Sequence, residues 1–360
     1  MSTSLFQTRD SKPEIRSAPA DPLRIAYLLE DTAQSGGIRV LLAQADALIA
    51  RGHRVRLVTK GLPLHWRSSR AEWIYVDDFR TYVADDEDFV VGTFWLTLQP
   101  AFEMAGTRAV HLCQGYEGFI SYYRDLLPAI EAAYRLVLPK LVVSPSLLPL
   151  CRRFSADVTY IGQIVDEELY RPQTSIENEP LRVLMVGQAQ ADLRGIDEGY
   201  GAVAHARWFH QKLDLVRVSP WAPSRGEPLD SVQEFHVGLT TAEMTRLMHS
   251  CDVLISPNHR EEGFGLPAAE AMASGIPTVL TRIPSYLAFD ERDDFALFAP
   301  EGDAIELGEK LIELLSDAEL REQIRQRGRD VAEQWRVEKA AERLERFFLE
   351  RRTKRVNGEE

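Results

Sequence analysis

Two glutamates, Glu262 and Glu270, bracket the run Gly263-Phe264-Gly265-Leu266-Pro267. Two glycines let a backbone turn tightly and bring its N–H groups close to a ligand. Pro267 suits the first position of a helix, where it has no N–H to leave unsatisfied. The helix that follows runs to about Ser274, and Gly275 ends it. A helix N-terminus behind a glycine loop favours negative charge, above all a phosphate. An acid beside such a site should not touch the phosphate; it should accept hydrogen bonds from hydroxyls of a ribose or a hexose. Two hydroxyl-binding carboxylates flanking a diphosphate cradle describe a nucleotide-sugar site. The competing reading is a capped surface helix with Glu270 on its solvated face, but such a helix needs no double glycine.

The elements that must position this loop follow from the hydrophobic pattern. Leu23–Leu29 reads as a buried strand, and a polar loop with Gly36-Gly37 comes next. Leu41, Ala45, Leu48 and Ile49 recur at helical spacing, Gly52 ends that helix, and Val55–Thr59 is a second strand. This is a βαβ unit. Further short apolar runs, 89–92, 109–113, 141–144 and 158–161, predict a parallel sheet covered by helices. The polar, proline-containing segment 171–180 predicts a linker. The alternation then restarts with strands at 181–186, 213–218, 232–236, 253–255 and 277–280. From 304 to 355 the pattern is helical, with a break near Gly328. The reading is α/β, with two doubly wound Rossmann-like domains facing across a cleft. Its parts are an N-terminal arm at 1–21, an acceptor-side domain at 22–170, the linker, a nucleotide-sugar domain at 181–335, and a C-terminal segment at 336–360. In open parallel sheets ligands bind beyond the carboxyl ends of the strands, so function should concentrate in loops facing that cleft.

Composition narrows the class. The 360 residues carry 42 basic and 55 acidic side chains, a net charge of −13, which disfavours nucleic acid as a partner. The three cysteines form no CxxC pair, so neither a disulfide framework nor a structural zinc site is expected, which suits a reducing cytoplasm. No apolar run approaches the ~18 residues of a membrane span. Residues 1–20 mix charges with prolines and lack the apolar centre of a signal peptide. The tail mixes Phe347, Phe348 and Leu349 with Arg351, Arg352, Lys354 and Arg355. Such an end could touch anionic lipid at the inner membrane face; the plainer reading is a helix with a solvated end.

The central stretch resembles the retaining glycosyltransferases of family 4, which have the GT-B fold. The family places a Glu, seven residues and a second Glu around G-F-G-L-P, followed by E-A-M-A-x-G-x-P-V. Glu262, Gly263, Phe264, Gly265, Leu266 and Glu270 stand in that pattern, with GFGLP and EAMASGIPTV intact. The resemblance implies that Glu262 contacts the donor sugar and Glu270 the nucleotide ribose. Gly36-Gly37 and Arg51-Gly52-His53-Arg54-Val55 resemble the first glycine loop and the RGHxV strand entry. Ile164-Val165-Asp166, Tyr170 and Pro172 resemble the interdomain segment. Val237-Gly238 and Thr241-Ala242-Glu243-Met244 resemble the stretch near the nucleobase. Trp335 resembles the tryptophan before a last helix that crosses back to the N-terminal domain.

Two departures stand out. The family's Gly-Arg after the first strand of the C-terminal domain is here Gly187-Gln188, and Arg194-Gly195 stands for its Lys-Gly. Arg194 can clamp a diphosphate bidentately, whereas Gln188 supplies no charge. In the segment His111-Leu112-Cys113-Gln114-Gly115-Tyr116-Glu117, the family's donor-facing histidine gives way to Gln114. A similar Q-x-Y-E pattern occurs in some polysaccharide-building relatives. Gln114 and Glu117 are acceptor-side cleft candidates. His111 is the alternative for the N-domain contact, although a strand histidine is more often packed. His53, His65, His236, His249 and His259 show no metal-ligand spacing and read as surface or structural residues.

The resemblance implies a retaining hexosyl- or deoxyhexosyltransferase that moves a sugar from a nucleotide-diphosphate sugar to a glycan, lipid-linked or other small acceptor. Catalytic weight falls on Glu262, Arg194 and Gln114, and donor binding adds Gly37, Gly187 and Val237. No DxD-type pair stands in either nucleotide region, so neither a metal nor another cofactor is expected beyond the co-substrate. A nucleotide-sugar epimerase of the same fold and a non-catalytic donor-binding subunit are the alternatives.

Overall fold

Short runs rich in Val, Ile and Leu, bounded by polar loops, become parallel strands of two sheets in the computed structural model, which describes residues 21–172, 178–209 and 212–358. Nearly all of the expected arm and the middle of the expected linker (173–177) lie outside the described residues.

The first sheet contains β1 (Arg24–Leu29), β2 (Arg54–Thr59), β3 (Glu72–Tyr75), β4 (Phe89–Gly92), β5 (Ala109–Cys113), β6 (Lys140–Val142) and β7 (Val158–Tyr160), in the order β3-β2-β1-β4-β5-β6-β7. The second contains β8 (Leu181–Val186), β9 (Leu213–Ser219), β10 (Glu234–Val237), β11 (Val253–Ser256), β12 (Thr278–Thr281) and β13 (Leu297–Ala299), in the order β10-β9-β8-β11-β12-β13. Every pairing is parallel; Ile25, for example, lies between Val55 and Phe89. The central strands β4 and β11 are buried at every residue, which requires cover on both faces. That cover comes from α1 (Gly36–Ala50), α2 (Trp95–Ala105), α3 (Leu127–Tyr134) and α4 (Leu148–Cys151) in the first half. In the second half it comes from α5 (Ile196–Phe209), α6 (Thr241–His249), α7 (Leu266–Ala273), α8 (Pro284–Leu287), α9 (Ala304–Ser316) and α10 (Ala318–Ala332). The chain closes with α11 (Val337–Val356).

Two strands escape the sequence pattern. β3 is a half-buried edge strand and β13 has three residues, both too short for a clear period. The helical run also breaks elsewhere than expected. Asp317 caps α10 by accepting from the Leu320 amide, and a second break falls at 333–336. Gly328 lies inside α10, where a Cβ would come within 3.3 Å of the Met272 side chain.

The path between the sheets is held where it crosses twice. The Val165 amide donates to the Trp335 carbonyl at 2.9 Å, and the Val337 amide to Glu167 at 3.0 Å. Trp335 is fully buried against Phe264 and Phe289. From there α11 returns onto the first domain. Arg51 Nε donates to Glu345 at 2.9 Å, His53 Nε2 lies 2.8 Å from the same carboxylate, and His53 Nδ1 accepts from the Leu23 amide. The Arg-Gly-His run is thus the receptor for the crossing helix. Phe348 packs its ring against Phe89.

The same packing takes up most of the tail. Phe347 and Phe348 are buried, Arg351 pairs with Asp157, Arg352 with Asp21, and Arg355 donates to the Asp88 carbonyl. Among the described residues, no helix is long and apolar enough to cross a membrane. The three cysteines are buried and free.

Burial alone would raise the Glu345 carboxyl, but Arg51 and His53 outweigh it and hold the group below the ordinary carboxylate range. Its contribution is therefore fully present above that range and is lost as pH falls through the depressed value. Glu345→Gln should cost on the order of 1–2 kcal/mol at neutral pH, read as a lower Tm, and the deficit should shrink in acid. A deficit that persists unchanged at low pH would show that the lost interaction is not the ionised one.

Candidate functional site

In both sheets the strand order reverses beside the first strand, between β1 and β4 and between β8 and β11. Loops diverge at such points and leave a crevice. The junction of β1 with α1 carries Gly37, and a loop further along the same sheet edge, after β5, carries Gln114. The loop after β8 carries Gly187 and Arg194, and that after β11 carries Glu262 to Leu266. The sequence candidates that span these four connections meet across one cleft.

At its C-domain wall, Gly265 precedes α7 with φ +91°, and a Cβ there would come within 2.1 Å of the Tyr286 ring. Glycine is required on both counts. Tyr286 is itself buried and hydrogen-bonded to Ser256 at 2.6 Å. The Glu262 carboxylate turns back on this turn. One oxygen accepts from the amides of Phe264 (3.3 Å) and Gly265 (3.1 Å). The other accepts from Asn258 Nδ2 at 2.7 Å and pairs with Arg194. The expected phosphate cradle is thus partly filled by the chain's own carboxylate, because an anion is favourable at a helix N-terminus whatever its source. Asn258 and Tyr286 gave no signal in the sequence, since each acts through a residue several positions away.

The opposite wall comes within van der Waals range. A Cβ on Gly263 would lie 2.5 Å from the Gln114 carbonyl oxygen and 2.9 Å from Gly115 Cα. Gln114 Nε2 donates to the Gly37 carbonyl at 3.1 Å, tying the β5 loop to the start of α1. Gln34 donates to the Leu239 carbonyl, and Ser146 Oγ to that of Gly263 at 3.4 Å.

Glu270 is not on a solvated face. It is buried, and Arg39 of α1 reaches it across the cleft, Nη2 to Oε1, at 2.7 Å. Arg39 Nη1 donates to Tyr170 Oη, also at 2.7 Å. Burial raises the Glu270 carboxyl, and Arg39 and Tyr170 oppose that rise. Removing one partner of such a pair costs about 3–5 kcal/mol, because it strands a charge away from water. Arg39 escaped the sequence reading; its only signal is a cation two residues after Gly37, at the end of a helix that disfavours cations.

The remaining candidates do not touch Glu262 or Glu270 directly. His111 is buried inside β5, edge-on to Tyr134, and burial together with Lys140 pushes its imidazole well down. It is a packed strand residue held neutral, and Gln114 is the member of this segment that touches the facing wall. Glu117 faces inward. Its carboxylate accepts from Tyr134 Oη at 2.6 Å and from the Trp95 amide at 3.2 Å, and burial raises its pKa. These contacts brace the first domain around a half-buried carboxylate whose oxygens are both engaged within that domain. Val237 is exposed at the end of β10, and Gly187 packs under Arg194. Among the described residues, His259, Glu261 and Glu301 group closely enough to share a cation, yet His259 contacts Glu198 and Glu301 holds Arg260.

Residues 227–331 match the family Glycosyl transferases group 1. The chain is 30% identical over 167 residues to MMP alpha-(1->4)-mannosyltransferase of Mycolicibacterium hassiacum, covering 44% of this chain and 37% of that protein. The alignment thus spans little more than a third of that curated relative. Solved structures extend the likeness of fold to nearly the whole chain. Sucrose-phosphate synthase from Thermosynechococcus elongatus superposes with TM-score 0.73 at 17% identity, over 91% of this chain and 98% of that one. Anabaena HepE in complex with UDP and glucose superposes with TM-score 0.71 at 13% identity, over 91% and 100%.

Gly263→Ala should force the walls apart while each domain stays folded, because the clash is with backbone. Small-angle scattering should show a larger radius of gyration than the parent, with unchanged circular dichroism. An unchanged radius would mean that the walls do not depend on this approach.

Proposed function

We propose that this chain, a group 1 glycosyltransferase with the GT-B fold, transfers a hexosyl or deoxyhexosyl group from a nucleotide-diphosphate sugar to a glycan, lipid-linked or other small acceptor. The observation that carries the reading is the Glu262–Arg194 pair at the N-terminus of α7, set directly against Gln114 and Gly37 of the facing domain. An acid, a cation and a helix N-terminus converge there on a crevice at the carboxyl ends of both sheets. HepE, similar in fold, has been solved with UDP and glucose.

The chemistry would break the bond between the anomeric carbon and the leaving diphosphate oxygen. Negative charge grows on that oxygen. Arg194, placed beforehand with the α7 dipole behind it, would stabilise this charge without reorganisation. Glu262 would accept hydrogen bonds from sugar hydroxyls, and Gln114 would hold the sugar from the N-domain side. Closure of the two walls would exclude water, so that the acceptor rather than hydroxide takes the sugar. We assign retention of the anomeric configuration, through a front-face, oxocarbenium-like state, by likeness to the family. Arginine in place of a metal fits a metal-independent leaving group. Product analysis separates this reading from an epimerase, which would isomerise the donor, and from a binding subunit, which would turn nothing over. A cytoplasmic, polysaccharide-building setting follows the same likeness.

Glu262→Gln should keep nucleotide affinity and lose most transfer, by about 100-fold or more in kcat, since the lost contact belongs to the sugar. Transfer at the parent rate would remove Glu262 from the mechanism.

Activity should also survive excess chelator. Complete loss with chelator, restored by magnesium or manganese, would overturn the arginine-based leaving-group role.

A further inference from the structure

We infer that Arg39 is a second cation for the donor's diphosphate, stored on Glu270 until the donor enters. This rests on the nucleotide-diphosphate-sugar reading. Two phosphates need more than one positive partner, and Gln188 leaves one expected place neutral. Arg39 is the cation of the facing domain in direct contact with Glu270, with Arg67 adding its charge from further away. It follows Gly36-Gly37 and sits in the first turn of α1, where a positive charge opposes the helix dipole. Helix stability therefore does not explain it. Its side chain as a whole is about one-sixth exposed, and its guanidinium gives one N–H to Glu270 and another to Tyr170. A guanidinium carries five N–H donors in a planar fork, so a phosphate can be engaged from the same position or by a small swing.

The two acids and two cations are matched. Arg194 holds Glu262, and Arg39 holds Glu270. A nucleotide-diphosphate sugar brings hydroxyls for both carboxylates and phosphate oxygens for both guanidiniums. Partners are then exchanged and no buried charge is left alone. The exchange also makes the N-domain sense the donor: Arg39 belongs to α1, and Glu270 to α7.

The test uses the full chain. UDP, GDP, ADP and dTDP are titrated by calorimetry, and the matching nucleosides by ligand-observed NMR, against the parent, Arg39→Gln and Arg39→Lys. The amide introduced by Arg39→Gln can still donate a hydrogen bond to Glu270, and circular dichroism checks that each variant is folded. The expected result is that Arg39→Gln weakens the nucleoside diphosphate about tenfold or more while changing the nucleoside less than about twofold, and that Arg39→Lys recovers part of the loss. Equal weakening of both ligands would mean that Arg39 acts only by positioning Glu270, and no weakening would mean that it never meets the ligand; either overturns the inference alone. A parent that binds none of the four diphosphates overturns the donor reading and this inference with it.

Discussion

The contact between the Arg39 guanidinium and the Glu270 carboxylate sets the terms for the rest of the molecule. It joins α1 of one domain to α7 of the other, with Tyr170 of the crossing segment as a third member. A carboxylate buried in this way is tolerable only when paired. The pairing therefore fixes how near the two helices must come. The glycine loops are consequences of that spacing: with a side chain at Gly263, the walls would meet before the charges did.

The crossing helix serves the same end from the other side. α11 starts in the C-terminal half and is received by Arg51 and His53, which lie just past the end of α1. α1 is thus held at its end by α11 and near its start by Glu270. The chain crosses between the domains beside this helix, where the Val165 amide meets the Trp335 carbonyl. Three basic side chains of the tail, Arg351, Arg352 and Arg355, take part in this anchoring.

Preorganisation is visible in the smaller contacts. Asn258 and two backbone amides hold Glu262 in place. Tyr286 supports the turn from beneath. Under the proposed function, donors and acceptors held in this way would meet the condition under which such groups lower a barrier rather than merely bind.

Much of this was legible in the one-dimensional chain. Buried parallel strands announce themselves as apolar runs, and β4, β5 and β8 fall where those runs fall. The Glu-GFGLP-Glu spacing is local: both acids and both glycines belong to one turn and one helix, so their order along the chain nearly dictates their geometry. Edge strands β3 and β13, with few residues and partial burial, carry too little pattern to be read. What the sequence could not decide is which way a side chain faces and what it meets from far along the chain. Glu117 and His111 sit beside Gln114 in sequence, yet His111 is buried inside β5, Glu117 is engaged by Tyr134 and Trp95 of its own domain, and Gln114 meets the facing wall. Arg39 and Glu270 are separated by most of the chain, and only the facing of two sheets brings them to 2.7 Å. Local spacing follows from covalent geometry and helix pitch; long-range pairing follows from how two sheets pack through one shared core, and that is decided only when the whole core has formed.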